Sequence, residues 1–95
     1  MGVPLGIYAR PLTDSERQAL QTYLAMRIVA VVQGSPAFLA DVLPGDCLMG
    51  IGSDATYSHE SLYAAINKNH GKNVTLILTR HGEKLSKRVS IASDP

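Results

Sequence analysis

Pro11, Gly34, Pro36, Pro44, Gly45, Gly52, Gly71 and Gly82 cut the chain into short apolar stretches, so any fold built from it must use short elements. Glycine reaches backbone angles closed to other residues and proline lacks an N–H, so each marks a turn or an element end. Leu5, Ile7 and Ala9 alternate with Gly6, Tyr8 and Arg10, the period of a half-buried strand that begins near Leu5 and ends at Pro11. Thr13 and Glu16 form a capping-box pair that opens a helix through Leu24, with Ala19, Leu20 and Tyr23 on its inner face. Met26 to Val32 is apolar apart from Arg27 and rich in branched side chains, which predicts a central strand.

Ser35-Pro36 is a helix start. The serine can accept an otherwise unpaired N–H, and proline at the first helical position gives up a donor that has no partner there. The short helix from Ala37 to Val42 stops before the Pro44-Gly45-Asp46 turn. Cys47 to Ile51 reads as a buried strand followed by a Gly52-Ser53-Asp54 turn, and Ser58 caps a helix from His59 to Asn69. His70-Gly71 supplies that helix with a left-handed exit. Asn73 to Arg80 and Lys84 to Ala92 form two strands joined at His81-Gly82-Glu83. In the last strand Leu85, Val89 and Ile91 share one face, while Lys84, Ser86, Arg88 and Ser90 leave charge on the other.

The chain has 95 residues, enough for one domain with one modest core, and its beginning in strand-like sequence points to a domain cut from a longer protein. Hydrophobic residues make up 45% and charged residues 18%, proportions of a globular chain. The net charge is +1 with scattered cations, which gives no argument for nucleic acid. A single cysteine, Cys47, excludes an internal disulfide, and its apolar neighbours predict a buried thiol. No apolar run approaches the roughly 18 residues of a membrane span. Five or so strands and two or three short helices, without regular β–α alternation, add up to a small α+β domain. Its expected form is a partly open barrel with helices over the open ends.

Two stretches resemble a known family. Gly34-Ser35-Pro36-Ala37 and Leu43-Pro44-Gly45-Asp46-Cys47-Leu48-Met49-Gly50-Ile51 are similar to the central signature of PDZ domains. The strand at Leu5-Gly6-Ile7 comes first and a charged strand comes last, which resembles the circularly permuted order of bacterial HtrA-like and related proteases. The resemblance implies a PDZ-like, partly open five- to six-stranded barrel or sandwich capped by two or three short helices. It implies a non-catalytic recognition or regulatory module without cofactor, in a bacterial envelope setting. Its partners would be polypeptide tails with a hydrophobic last residue, with a protease domain in the same chain. Two departures are Asp41, where glycine is frequent, and Gly52-Ser53, where Asn-Gly or Asp-Gly is common; both tolerate turn geometry.

A carboxylate needs convergent donors, and a loop entering a strand can offer consecutive N–H groups where glycine permits close approach. Leu5, Gly6 and Ile7 are that candidate loop, although the preceding Met1-Gly2-Val3-Pro4 offers no basic residue in support. The strand through Tyr8 and Ala9 is the edge onto which an extended peptide would add. In the helix from His59, a turn of about 100° per residue puts His59, Tyr63 and Ile66 in one stripe, with Leu62 and Ala65 further round toward the core. The resemblance implies that His59 selects Ser or Thr two residues before the ligand's end. If Leu5, Ile7, Tyr63 and Ile66 enclose an apolar slot, the groove is for recognition; if Tyr63 fills it, the domain is for docking or assembly.

Each candidate has a plainer reading. His59 alone is ordinarily a solvent residue, Tyr63 and Ile66 alone ordinary core, and Arg10 a solvated strand charge. Ser35 lacks the Gly-x-Ser-x-Gly setting of a nucleophile, and His59, His70 and His81 have no metal-ligand spacing. No catalytic or metal-ligating set is expected.

Overall fold

The computed structural model describes residues 5–22 and 24–91. The sheet is antiparallel and open, in the order β1-β2-β3-β5-β6, with β4 pairing β3. Its strands are β1 (Ile7–Pro11), β2 (Met26–Val31), β3 (Cys47–Ile51), β4 (Asp54–Ala55), β5 (Asn73–Arg80) and β6 (Glu83–Ser90). The helices are α1 (Asp14–Leu20), α2 (Pro36–Leu39) and α3 (His59–Lys68). β1 and β6 are therefore the two edges, which matches the expected partly open α+β architecture.

The core lies where β1, β2, β3, β5 and α3 meet. Met26, Ile28, Leu48, Ile51, Leu76 and Leu78 are all fully buried there. Leu62, Ala65 and Ile66 are the apolar face that α3 contributes, and Ala37 and Val42 close the core beside α2. Alternation in β1 buries Ile7 and Ala9 and leaves Tyr8 out.

Several boundaries differ from those expected, each for a local reason. The capping box at Thr13 and Glu16 forms, but α1 stops at Leu20 because Gln21 turns left-handed at φ 53°. Ala19 is exposed and Leu20 half-buried, so α1 rides outside the main core; Tyr23 lies outside the described residues. α2 is one turn, Pro36–Leu39, capped by the Ser35 hydroxyl, which accepts from the Phe38 N–H at 3.2 Å. β2 is less buried than its apolar run suggests. β1 pairs Tyr8 with Ala30 and Ala9 with Ile28, so Val29 is an extra residue in a bulge and is 51% exposed. α3 ends at Lys68 rather than Asn69, and β6 runs Glu83–Ser90, with Ala92 outside the described residues. The β5–β6 turn has two residues, not three: His81 and Gly82 both have positive φ (52° and 81°), a type I′ hairpin. β4 escaped the sequence reading because it is two residues long, folded back through Gly52-Ser53.

One buried ion pair ties the α2–β3 loop to the end of β5. Asp46 is 2% exposed and accepts from Arg80 Nε and Nη2, both at 2.8 Å, and from the Leu43 N–H at 3.0 Å. Burial pushes the Asp46 carboxyl up, but the Arg80 guanidinium and the Leu43 N–H outweigh it and hold it below the usual range. A depressed folded-state value stabilises the fold above the ordinary carboxylate value and is lost as pH falls through the lower one. Asp46→Asn is expected to lower stability by about 1–3 kcal/mol at pH 7. In urea denaturation its gap from the parent chain should close as pH falls below about 4; a gap constant from pH 7 to pH 3 would contradict the charge-based account.

Candidate functional site

The loop entering β1 is fastened from below. Gly6 sits at φ +87°, and a Cβ added there would lie 2.0 Å from Ser35 Cβ and 2.2 Å from Ser35 Oγ. Glycine is required both by the backbone angle and by the space. Two hydrogen bonds hold the loop on the same side: Ala37 N–H donates to the Leu5 carbonyl at 3.1 Å and Val32 N–H to the Gly6 carbonyl at 2.7 Å. The Gly34-Ser35-Pro36-Ala37 signature thus builds the seat of Leu5-Gly6-Ile7. Sequence reading had assigned Ser35 to punctuation alone; its position under a glycine that needs an empty Cβ was not legible from spacing. The Leu5 and Gly6 carbonyls are both turned to the scaffold, and the Gly6 N–H has no acceptor among the described residues.

Beyond the loop, β1 pairs β2 on one side and has α3 packed near its other side. Of the expected groove residues, Leu5, Ile7, Ala9, Leu62 and Ile66 are buried in the main core cluster. Tyr8 and Tyr63 stand out from it at 55% and 58% exposed, and His59 is also exposed. The His59 and Tyr63 rings lie 6.4 Å apart at 38°, one helical turn from each other on the rim. Helical spacing put Ile66 with His59 and Tyr63; packing puts it with Leu62 in the core.

Arg10 is not the solvated strand charge that the sequence suggested. Its guanidinium grips Glu16 at both oxygens, at 2.7 and 3.0 Å, while Arg27 Nε donates to Glu16 Oε2 at 2.9 Å. Glu16 also accepts from the Thr13 N–H at 2.8 Å, closing the capping box. The Arg10 guanidinium first, then the Thr13 N–H, hold this carboxyl far below the usual range. One side chain thus clamps α1 to both β1 and β2.

Cys47 is 2% exposed, and burial pushes its thiol up, away from the nucleophilic thiolate. Among the described residues no group of three or more His, Cys, Asp or Glu could hold a metal ion. No helix among them is long and apolar enough to cross a membrane.

With this geometry in view, comparison with known proteins is informative at the level of the fold. No family model matches the chain, and no curated protein matches it significantly. Solved structures do. The HtrA-type protease AlgW in a complex with a decapeptide superposes with a TM-score of 0.78 at 20% identity over 96% of this chain. A variant of AlgW, also with decapeptide, reaches a TM-score of 0.84. The HtrA3 PDZ domain bound to a phage-derived ligand (FGRWV) has a TM-score of 0.73 at 20% identity, covering 93% of this chain and 81% of that domain. The fold is that of a PDZ domain. More narrowly, its structural neighbours are the PDZ domains of HtrA-type proteases, and the chain spans 29% of the length of AlgW.

The seat of the loop can be tested directly. Gly6→Ala should destabilise by at least about 2 kcal/mol, from roughly 1–2 kcal/mol of left-handed strain plus the overlap with Ser35. Adding Ser35→Gly to that variant should recover more than about 1 kcal/mol, although Ser35→Gly alone costs a few tenths through the weakened cap. Additive effects in urea denaturation would contradict the contact.

Proposed function

We propose that this chain is a peptide-capture module that takes up the carboxyl terminus of another polypeptide by strand addition on β1. The observation that carries this reading is the loop: the Leu5 and Gly6 carbonyls are bound to the scaffold, and the Gly6 N–H has no acceptor among the described residues. Backbone donors in that arrangement suit a terminal carboxylate, and the outer edge of β1 suits the extended residues that precede it. The AlgW and HtrA3 PDZ structures with bound peptides support the same use of the fold.

In this reading Leu5, Gly6 and Ile7 hold the carboxylate. Ile7, Ala9, Leu62 and Ile66 receive the last side chain, and Tyr8, His59 and Tyr63 flank the residues before it. These four residues are apolar, so they would favour an apolar last side chain such as Val or Leu. His59 on the rim would pair with a Ser or Thr hydroxyl two residues before the end. The domain would serve as the substrate-recognition or regulatory arm of a protease in the same chain. The low exposure of Leu5, Ile7, Leu62 and Ile66 favours a second reading, a docking or assembly domain whose groove is occupied by its own side chains.

An NMR titration separates the two. A peptide ending in Thr-x-Val with a free carboxylate should shift Gly6, Ile7, Tyr8, His59 and Tyr63. The same peptide as an amide should bind about tenfold weaker or worse, because charge-assisted hydrogen bonds are worth about 1.5–3 kcal/mol. His59→Val should remove the preference for Thr over Val at the third position from the end. Equal binding of acid and amide, or no shift with any apolar-ended peptide, would reject capture.

A further inference from the structure

We propose that the cavity between Arg27 and Arg80 is a second binding site, one that takes an acidic side chain of a partner polypeptide together with an apolar neighbour. The cavity has a volume of about 310 Å³ and lies where the end of α1, the start of β2, the Leu43–Cys47 loop and the β5–β6 turn meet. None of its walls comes from β1 or α3, so it is separate from the peptide groove.

Its charge is unbalanced. Among the lining residues Arg27 and Arg80 stand against one carboxylate, Asp46, which pairs with Arg80; Glu16, the partner of Arg27, lies outside the lining and is shared with Arg10. His81 adds a further nitrogen-bearing ring to the wall.

The donors are unbalanced too. Arg27 uses Nε on Glu16 and Nη1 on the Gly45 carbonyl at 2.7 Å, and Nη2 has no acceptor among the described residues. Arg80 uses Nε and Nη2 on Asp46 and the Asp41 carbonyl, and Nη1 likewise has none. Both side chains line the cavity and are about a quarter exposed (27% and 25%). Planar guanidinium edges match a carboxylate. The opposite wall is Leu20, Leu43 and Pro44, with Leu43 46% exposed, which suits an apolar residue beside the acid and disfavours a free hydrated anion.

The test is an NMR titration of the chain with the blocked tripeptide acetyl-Leu-Glu-Leu-amide, which has no carboxyl terminus to enter the groove. Acetyl-Leu-Gln-Leu-amide and inorganic phosphate are run in parallel. The Glu peptide should shift Arg27, Gly45, His81 and Gly82 while Gly6 and Ile7 stay still, and the Gln peptide should bind about tenfold weaker. Arg27→Gln should weaken the Glu peptide by a similar factor. Should that variant unfold, Leu43→Glu, which sets a carboxylate at the rim in cis, should do the same. Equal binding of the Gln peptide, shifts confined to Gly6 and Ile7, no shift at all, or shifts with phosphate but not with the Glu peptide would each overturn the proposal.

Discussion

Gly6 and Ser35 compete for one small volume, and the site depends on how that competition is resolved. Any side chain on Gly6 would overlap Ser35, which itself caps α2 and cannot withdraw without freeing the Phe38 N–H. The loop is therefore pressed flat against the start of α2, and its carbonyls turn inward to Val32 and Ala37. Since a peptide unit directs its N–H opposite to its C=O, anchoring the carbonyls is what leaves donors for a ligand. The Gly34-Ser35-Pro36-Ala37 signature and the Leu5-Gly6-Ile7 loop, apart in the sequence, are in space two halves of one contact.

Charge organises the opposite end of the sheet. Glu16 and Asp46 are each surrounded by arginine, and each joins segments distant in sequence: Glu16 joins α1 to β1 and β2, Asp46 joins the loop before β3 to the end of β5. Both carboxylates also accept a backbone N–H, so neither depends on a surface ion pair that water would screen. Arg27 and Arg80 meet there beside a cavity whose lining also includes Leu20, Leu43 and Pro44.

Elements whose limits are set by local chemistry were legible from sequence. β3 and β5 fell where the apolar runs and turn residues put them, and the caps at Thr13, Ser35 and Ser58 all formed. Asp41 sits at φ 69°, the turn geometry that a residue standing in for glycine must accept. What failed were properties decided by distant partners. Ala19 looked like a core residue by helical spacing, but α1 turns Leu20, not Ala19, to the small Leu12–Ala25–Cys47 cluster and is held as well through Glu16. Val29 looked buried in an apolar run, and the bulge opposite Tyr8 turned it out. Arg10 looked solvated because its partner is on another element. Leu5, Ile7, Ala9, Leu62 and Ile66 share the core cluster, and how closely Ile7 meets Leu62 and Ile66 is something no single segment encodes.

The clamping of β1 has a further consequence. One end of this edge strand is fixed through Gly6 to the α2 side, and the other through Arg10 and Glu16 to α1, with Pro11 stiffening the exit. An edge strand held only by its neighbour would fray, and a ligand pairing with it would have to order both chains. In the proposed capture the receiving strand is already ordered, so the loss of conformational entropy on strand addition would fall on the incoming peptide alone. On that reading the edge is a rigid template, and its affinity for a segment would be governed by how extended that segment already is in solution.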